Sequence, residues 1–188
     1  RQIETAEIEF YKKMKDNLLF LSYCIEEHFR GYFIKNIEKQ INVNTKSNDL
    51  NVIYRDLNQI CWAVGSISGA FDEEVERNFF VSIINTLLTI CERRVRREEK
   101  AIIASNIMFI IGHYHRFLKY NNEFLFVVIR KLFEFMAETY VGIKEMACDN
   151  FYKICEKCPN HLFVKRDVGC YIFEVIIGDL GSITSNLE

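Results

Sequence analysis

Apolar residues recur at three- and four-residue spacing along almost the whole chain. That is the period of amphipathic helices, not the two-residue alternation of half-buried strands. The pattern predicts eight helices, at about 5–27, 30–42, 50–70, 73–94, 98–117, 121–138, 141–157 and 168–183. Their breaks carry helix-end chemistry. Asn48-Asp49 precedes the third, and Asp72-Glu73-Glu74 gives the fourth an N-cap and an acidic first turn. Asn121-Asn122 and Gly142 punctuate later turns, and Pro159 follows the seventh helix. The polar stretch Asn42–Asp49 is the one long loop expected.

Two of these helices carry more apolar surface than a hairpin partner can cover. Helix 73–94 has Phe79, Ile83, Leu87 and Ile90 on one stripe and Phe80, Ile84, Leu88 and Cys91 on a second, one residue round. Helix 121–138 repeats the layout, with Leu125, Ile129, Phe133 and Met136 beside Phe124, Val128, Leu132 and Phe135. One stripe docks a helix on its hairpin partner. The second either packs on a neighbouring repeat or remains as an apolar groove; pattern alone leaves both open. Lys131 falls inside the second stripe. A lysine there snorkels, covering apolar area with its stem while its ammonium reaches water, which puts the stripe's edge near solvent.

Equivalent helices begin 43 to 49 residues apart, near 30, 73 and 121 and near 50, 98 and 141. This is close to the repeat length of HEAT and armadillo arrays. The units share architecture and not a motif. The fold class expected is all-α, a HEAT-repeat α-solenoid of about four hairpins, with residues 1–188 as one segment and a groove contributed by 73–138. A closed eight-helix globule is the alternative.

Composition narrows the classes. One proline and eight glycines in 188 residues are too few turn residues for an all-β or dinucleotide-binding fold. A net charge of −2 supplies no basic surface for nucleic acid or an anionic membrane. The longest clean apolar run, between Asn106 and Gly112, is far short of the roughly 18 residues of a membrane span. No leader is evident and Arg1 opens the chain, so a fragment is expected. Seven cysteines (24, 61, 91, 148, 155, 158 and 170), an odd number scattered through apolar helical stretches, read as reduced, buried thiols.

Several blocks together resemble a known family. They are Cys61-Trp62-Ala63-Val64-Gly65-Ser66-Ile67-Ser68-Gly69-Ala70, Lys100 to Met108, Lys131 to Met136, Glu145 to Phe151, and Lys157-Cys158. In order and spacing, without a gap from about 57 to 160, they resemble the importin-β (karyopherin-β) family, in its exportins for leucine-rich nuclear export signals. Residues 1–50 and 165–188 match it only in helical pattern. The resemblance implies the central, cargo-binding HEAT repeats of a receptor that shuttles between nucleus and cytoplasm. It implies cargo proteins with leucine-rich export signals as partners, with Ran-GTP and nucleoporins engaged by the full-length receptor, and no cofactor, direct nucleic acid or membrane.

In that family the export-signal groove lies between the first helices of two neighbouring repeats. The resemblance carries it onto Ile84, Leu88 and Cys91, onto Ala104 and Met108 of the helix behind, and onto Phe124, Val128, Leu132 and Phe135, with Phe117 at one end. Lys100 and Lys131 match basic rim residues, the latter a selectivity element against poorly fitting peptides. Cys91 matches the cysteine attacked by leptomycin-type covalent inhibitors. The four arginines after Glu92 would favour its thiolate. His115 stands where the family usually has proline, Glu123 replaces a rim lysine, and Val95–Glu99 replaces a lysine-rich connection.

Other chemistry weighs less. Cys155-Glu-Lys-Cys158 with His161 and Cys170 offers four zinc ligands, but the pair sits on a helix end and not on loop knuckles. The same pair lacks the strand–helix context of a thioredoxin-type catalyst. Gly65-Ser66-Ile67-Ser68-Gly69 has isoleucine where a nucleophile elbow needs serine, so close helix approach explains it better. His113 and His115 cannot share a helix face. Glu73-Glu74 and Glu98-Glu99 suit helix starts. No enzyme is expected. A generic α-solenoid scaffold is the alternative, and a Cys91-based transferase ranks behind it because no base is placed to serve it.

Overall fold

The computed structural model describes residues 6–40, 50–137, 140, 142–163 and 172–184. The expected loop at 42–49 and Cys170 lie outside the described residues. Among those described there is no strand. The helices are α1 (Ala6–Cys24), α2 (Glu26–Lys39), α3 (Leu50–Ser66), α4 (Glu73–Arg93), α5 (Arg97–Tyr114), α6 (Asn122–Met136), α7 (Ile143–Lys157), α8 (Pro159–Leu162) and α9 (Ile172–Thr184), with a 3-10 helix at His115–Tyr120. The eight expected helices are present. The ninth is the four-residue α8, opened by Pro159 at a first-turn position, where its missing N–H costs nothing.

The period is kept. α2, α4 and α6 start at residues 26, 73 and 122, and α3, α5 and α7 at 50, 97 and 143. The chain divides into two compact units, residues 1–113 and 114–188.

In the first unit α2 packs on both α3 and α4, and α1 lies against α2 and α3. α3 and α5 meet through directional contacts. Asn106 Nδ2 donates to Asn58 Oδ1 at 2.6 Å and to the Ile102 carbonyl at 2.9 Å, while Ser68 Oγ donates to the His113 carbonyl at 2.9 Å. Gly65 sits at the closest approach. A Cβ there would drive into the Phe109 ring, which accounts for Gly65, whereas Gly69 has open space around it and a φ of 97°. Phe71, in the α3–α4 turn, meets Phe79 edge-on and lies under the Arg30 guanidinium. α1 is the least covered element: Phe10 and Phe20 are more than 60% exposed, although Tyr11 meets the Trp62 ring edge-on.

In the second unit α6 packs on α7, α9 and the 3-10 helix, and α7 also touches that helix and α8. Phe133 of α6 meets Phe151 of α7 with ring centroids 5.1 Å apart. Gly142 caps α7 with φ 87°, a backbone that other residues adopt only with strain.

Six cysteines are described as free thiols, and burial divides them. Cys61, Cys91 and Cys158 are buried, Cys155 is half-buried, and Cys24 and Cys148 are exposed, so the expectation of uniformly buried thiols holds for only part of the set. The exposed pair sit on outward faces of α1 and α7 that helical spacing did not mark as solvated.

Replacing a helical glycine by alanine ordinarily gains about 1 kcal/mol of helix propensity. Gly65→Ala reverses that sign, because overpacking against Phe109 costs roughly 1–3 kcal/mol. Urea denaturation of Gly65→Ala should show a net loss, and adding Phe109→Leu should recover most of it.

Candidate functional site

The first half of the candidate site rests on α4. Asp72 occupies its N-cap, as expected, and its carbonyl accepts the Glu76 N–H at 2.8 Å, but its side chain makes no capping bond. The stabilising carboxylate is Glu76, only 2% exposed, whose Oε1 accepts the Gly69 N–H at 2.6 Å. That bond ties the α3–α4 turn, where Gly69 has φ 97°, to the first turns of α4. The helix then carries Ile84, Leu88 and Cys91 along one face at spacings of four and three residues. Ala104 and Met108, one turn apart, do the same on α5.

The α4–α5 turn holds the basic run, and much of its charge is already engaged. Arg94 Nη2 donates to the Gln40 carbonyl at the end of α2, at 2.7 Å. Arg96 Nη2 donates to Glu99 Oε1 at 2.8 Å, and this bond holds the guanidinium's pKa above its ordinary value. Burial pushes the Tyr54 phenol up, against the pull of Arg94. Of the four arginines, Arg94 reaches the end of α2 and Arg96 pairs with Glu99 in the first turn of α5. Lys100 is half-exposed.

The second half rests on α6. Asn121 caps it, its side-chain oxygen accepting the Phe124 N–H at 2.9 Å. Where the expected fifth helix should have run on to 117, the backbone tightens after Tyr114 into the 3-10 helix, which carries Phe117. The Arg116 guanidinium lies 4.3 Å from the centre of the Phe117 ring. Phe124, Val128, Leu132 and Phe135 follow on one face of α6. Lys131 is the snorkelling residue expected. Its side chain is 18% exposed, and Nζ reaches Glu134 Oε2 at 2.7 Å. The i,i+3 spacing of Lys131 and Glu134 is the sequence signal that could have pointed to this pair. Glu123 is exposed in the first turn of α6.

All ten apolar site residues are buried, none more than 9% exposed. The first stripes, Phe79 to Ile90 and Leu125 to Met136, are buried too. Solvent reaches the stripe at Lys131 and not at its apolar members, so the expectation of an accessible edge holds for the ammonium alone.

Among the described residues no three metal-ligating side chains gather. His113 Nδ1 bonds the Phe109 carbonyl at 2.8 Å, and His161 Nδ1 bonds Asn122 Oδ1 at 3.1 Å, which gives both histidines local structural partners. No helix among the described residues is long and apolar enough to cross a membrane.

Helical hairpins repeating at this period define an all-α protein of the HEAT-repeat α-solenoid class. Residues 53–98 match the family model described as CRM1 / Exportin repeat 3. Exportin-1 of Drosophila melanogaster is 39% identical over 186 residues, covering 98% of this chain and 17% of its own length. Exportin-1 of Schizosaccharomyces pombe is 42% identical over 166 residues, 88% of this chain and 15% of the relative. Protein EXPORTIN 1A of Arabidopsis thaliana is 39% identical over 181 residues, 95% and 16%. The chain belongs to the CRM1/exportin family, and it spans about one sixth of the length of these relatives.

Burial makes the two kinds of site residue separable by stability. Leu132→Ala should cost about 2–5 kcal/mol, as for a fully buried leucine. Lys131→Ala removes a rim ion pair and should cost less than about 1 kcal/mol. Parallel chemical denaturation curves measure both.

Proposed function

We propose that this chain is the cargo-binding segment of a nuclear export receptor, and that the second stripes of α4 and α6 receive the leucine-rich export signal of a cargo protein. The observation that carries the reading is the doubled apolar face on both helices, eight residues each, with a lysine set into the second stripe of α6. Membership of the exportin family supports it. Ile84, Leu88 and Cys91 on α4, Ala104 and Met108 on α5, and Phe117, Phe124, Val128, Leu132 and Phe135 would contact the apolar side chains of the signal. Lys100 and Lys131 would stand at the rim, with Lys131 penalising peptides that bury its ammonium without pairing it. In the full-length receptor, Ran-GTP and cargo would load together in the nucleus and part in the cytoplasm.

Energetics suit a reversible carrier. Four large peptide side chains, each gaining roughly 1.5–3 kcal/mol on burial, give about 6–12 kcal/mol gross. Ordering the peptide and associating remove several kcal/mol. The stripes are buried in this conformation, so binding must also displace whatever covers them. Micromolar capture, strengthened by any partner that favours exposed stripes, is the expected regime.

One observation favours a second reading. Complete burial of all ten apolar site residues is also what a plain α-solenoid scaffold shows when both stripes are occupied by packing. Binding of a fluorescently labelled leucine-rich peptide separates the two. The export reading expects saturable binding, weakened at least tenfold by Leu132→Ala, while Lys131→Ala admits poorly fitting peptides; thermal melts confirm that each variant is folded. Unchanged affinity in both variants supports the scaffold and removes the site.

Cys91 gives an independent check. An α,β-unsaturated lactone should add at Cys91, and an excess of export-signal peptide should slow that addition. Mass spectrometry of the digested protein reads the adduct, and exclusive labelling of Cys24 or Cys148 contradicts the assignment.

A further inference from the structure

We propose that Cys155 and Cys158, at the end of α7, form a dithiol that mild oxidation closes into an intramolecular disulfide. Neither thiol belongs to the apolar stripes, and the inference does not depend on the export reading.

The placement carries it. Residues three apart on a helix share a face, with Cβ atoms about 5–6 Å apart, slightly beyond the roughly 3.5–4.5 Å of a disulfide. Inside a rigid helix that gap would be held open. Here α7 ends at Lys157, and Cys158 has left helical geometry at φ −125° and ψ 38°, followed by Pro159 opening the short α8. The residue that must move closes the α7 ladder, its N–H bonded to the Ile154 carbonyl at 2.8 Å and its carbonyl accepting the His161 N–H at 3.1 Å, but its own φ and ψ are already non-helical.

Accessibility gives the two thiols different tasks. Cys155 is half-buried and meets an oxidant first, while Cys158, 1% exposed, is shielded and acts second. Burial pushes both thiols up, and the neighbouring Cys155 adds to the rise at Cys158. The Lys119 ammonium and a hydrogen bond from the Lys119 backbone oppose the rise at Cys158 without reversing it. Those contacts also tether the sulfur to the 3-10 helix, so closing the disulfide draws it away from Lys119.

The chemistry balances with a disulfide oxidant such as oxidised glutathione. The Cys155 sulfur attacks one glutathione sulfur, the glutathione S–S bond breaks, and one glutathione leaves as thiol carrying the Cys155 proton. The Cys158 sulfur then attacks Sγ of Cys155, expelling the second glutathione, which takes the Cys158 proton. Two protein thiols are oxidised and one glutathione disulfide is reduced to two thiols.

The test equilibrates the whole chain with oxidised and reduced glutathione, quenches it by alkylation, and maps tryptic peptides by mass spectrometry. Trypsin cuts after Lys157, so a Cys155–Cys158 bond leaves the two flanking peptides cross-linked. The expected result is that cross-link, short of two hydrogens, lost on reduction and absent from Cys155→Ser but retained in Cys148→Ser. Because Cys158 is buried, Cys158→Ser is not needed for the conclusion. A stable glutathione adduct on Cys155 with Cys158 still alkylated overturns the proposal, as does pairing of either thiol with another cysteine. Amide hydrogen exchange at Lys119 should quicken in the oxidised protein, and unchanged exchange overturns the link to the 3-10 helix.

Discussion

The structure depends on the width of the apolar face carried by α4 and α6. A helix with one stripe is satisfied by its hairpin partner; a helix with two adjacent stripes is not. Each second stripe holds four large or medium side chains. Left in water, each would forfeit roughly 1.5–3 kcal/mol, a sum on the scale of a domain's whole stability. The chain resolves this by burying both stripes on both helices. The residues proposed to receive an export signal are therefore core residues here. Site and scaffold draw on the same atoms.

Apolar burial has no direction, so something else must set the register of the layers. In the first unit that task falls to a few polar contacts at helix ends and crossings. The Asn58–Asn106 pair fixes α3 against α5 midway along, and Ser68 fixes the α3 end to the last turn of α5. Glu76 holds the α3–α4 turn, while Arg94 spans from the α4 end to α2. Each is a buried or half-buried group whose loss would strand a partner, so sliding one helix past another costs more than the apolar contacts alone impose. Gly65 adds the steric counterpart: it lets α3 and α5 approach where any side chain would meet Phe109.

Most of the fold was legible because helical periodicity and helix-end chemistry are local. Asn121, Gly142 and Asp72 all stand at the helix starts where the sequence places them, and the period of the hairpins survives intact. What was not legible depends on distance in space. Asp72 looked like the capping side chain, yet Glu76 provides the carboxylate because the α3–α4 turn folds back over α4's first turns. Nor does the run of four arginines after Glu92 reveal that two of them reach Gln40 and Glu99. The candidate site was half legible. Both stripes and the lysine within one of them follow from spacing, as could the i,i+3 pair of Lys131 with Glu134, but spacing cannot say whether a stripe is covered.

Burial of the proposed recognition residues has a thermodynamic consequence for any carrier built this way. A peptide binds only the fraction of molecules whose stripes are exposed, so its apparent affinity falls by that fraction; at about one exposed molecule in a hundred, the loss is roughly a hundredfold. A second ligand that prefers the exposed state restores the lost affinity without touching the peptide, and the peptide strengthens that ligand by the same factor. Weak binding alone and tight binding in company then need no dedicated coupling element. They follow wherever a binding surface is stored in the core, as proposed for these stripes. Burial of either stripe also limits non-specific association, which exposed apolar surface of that size would invite.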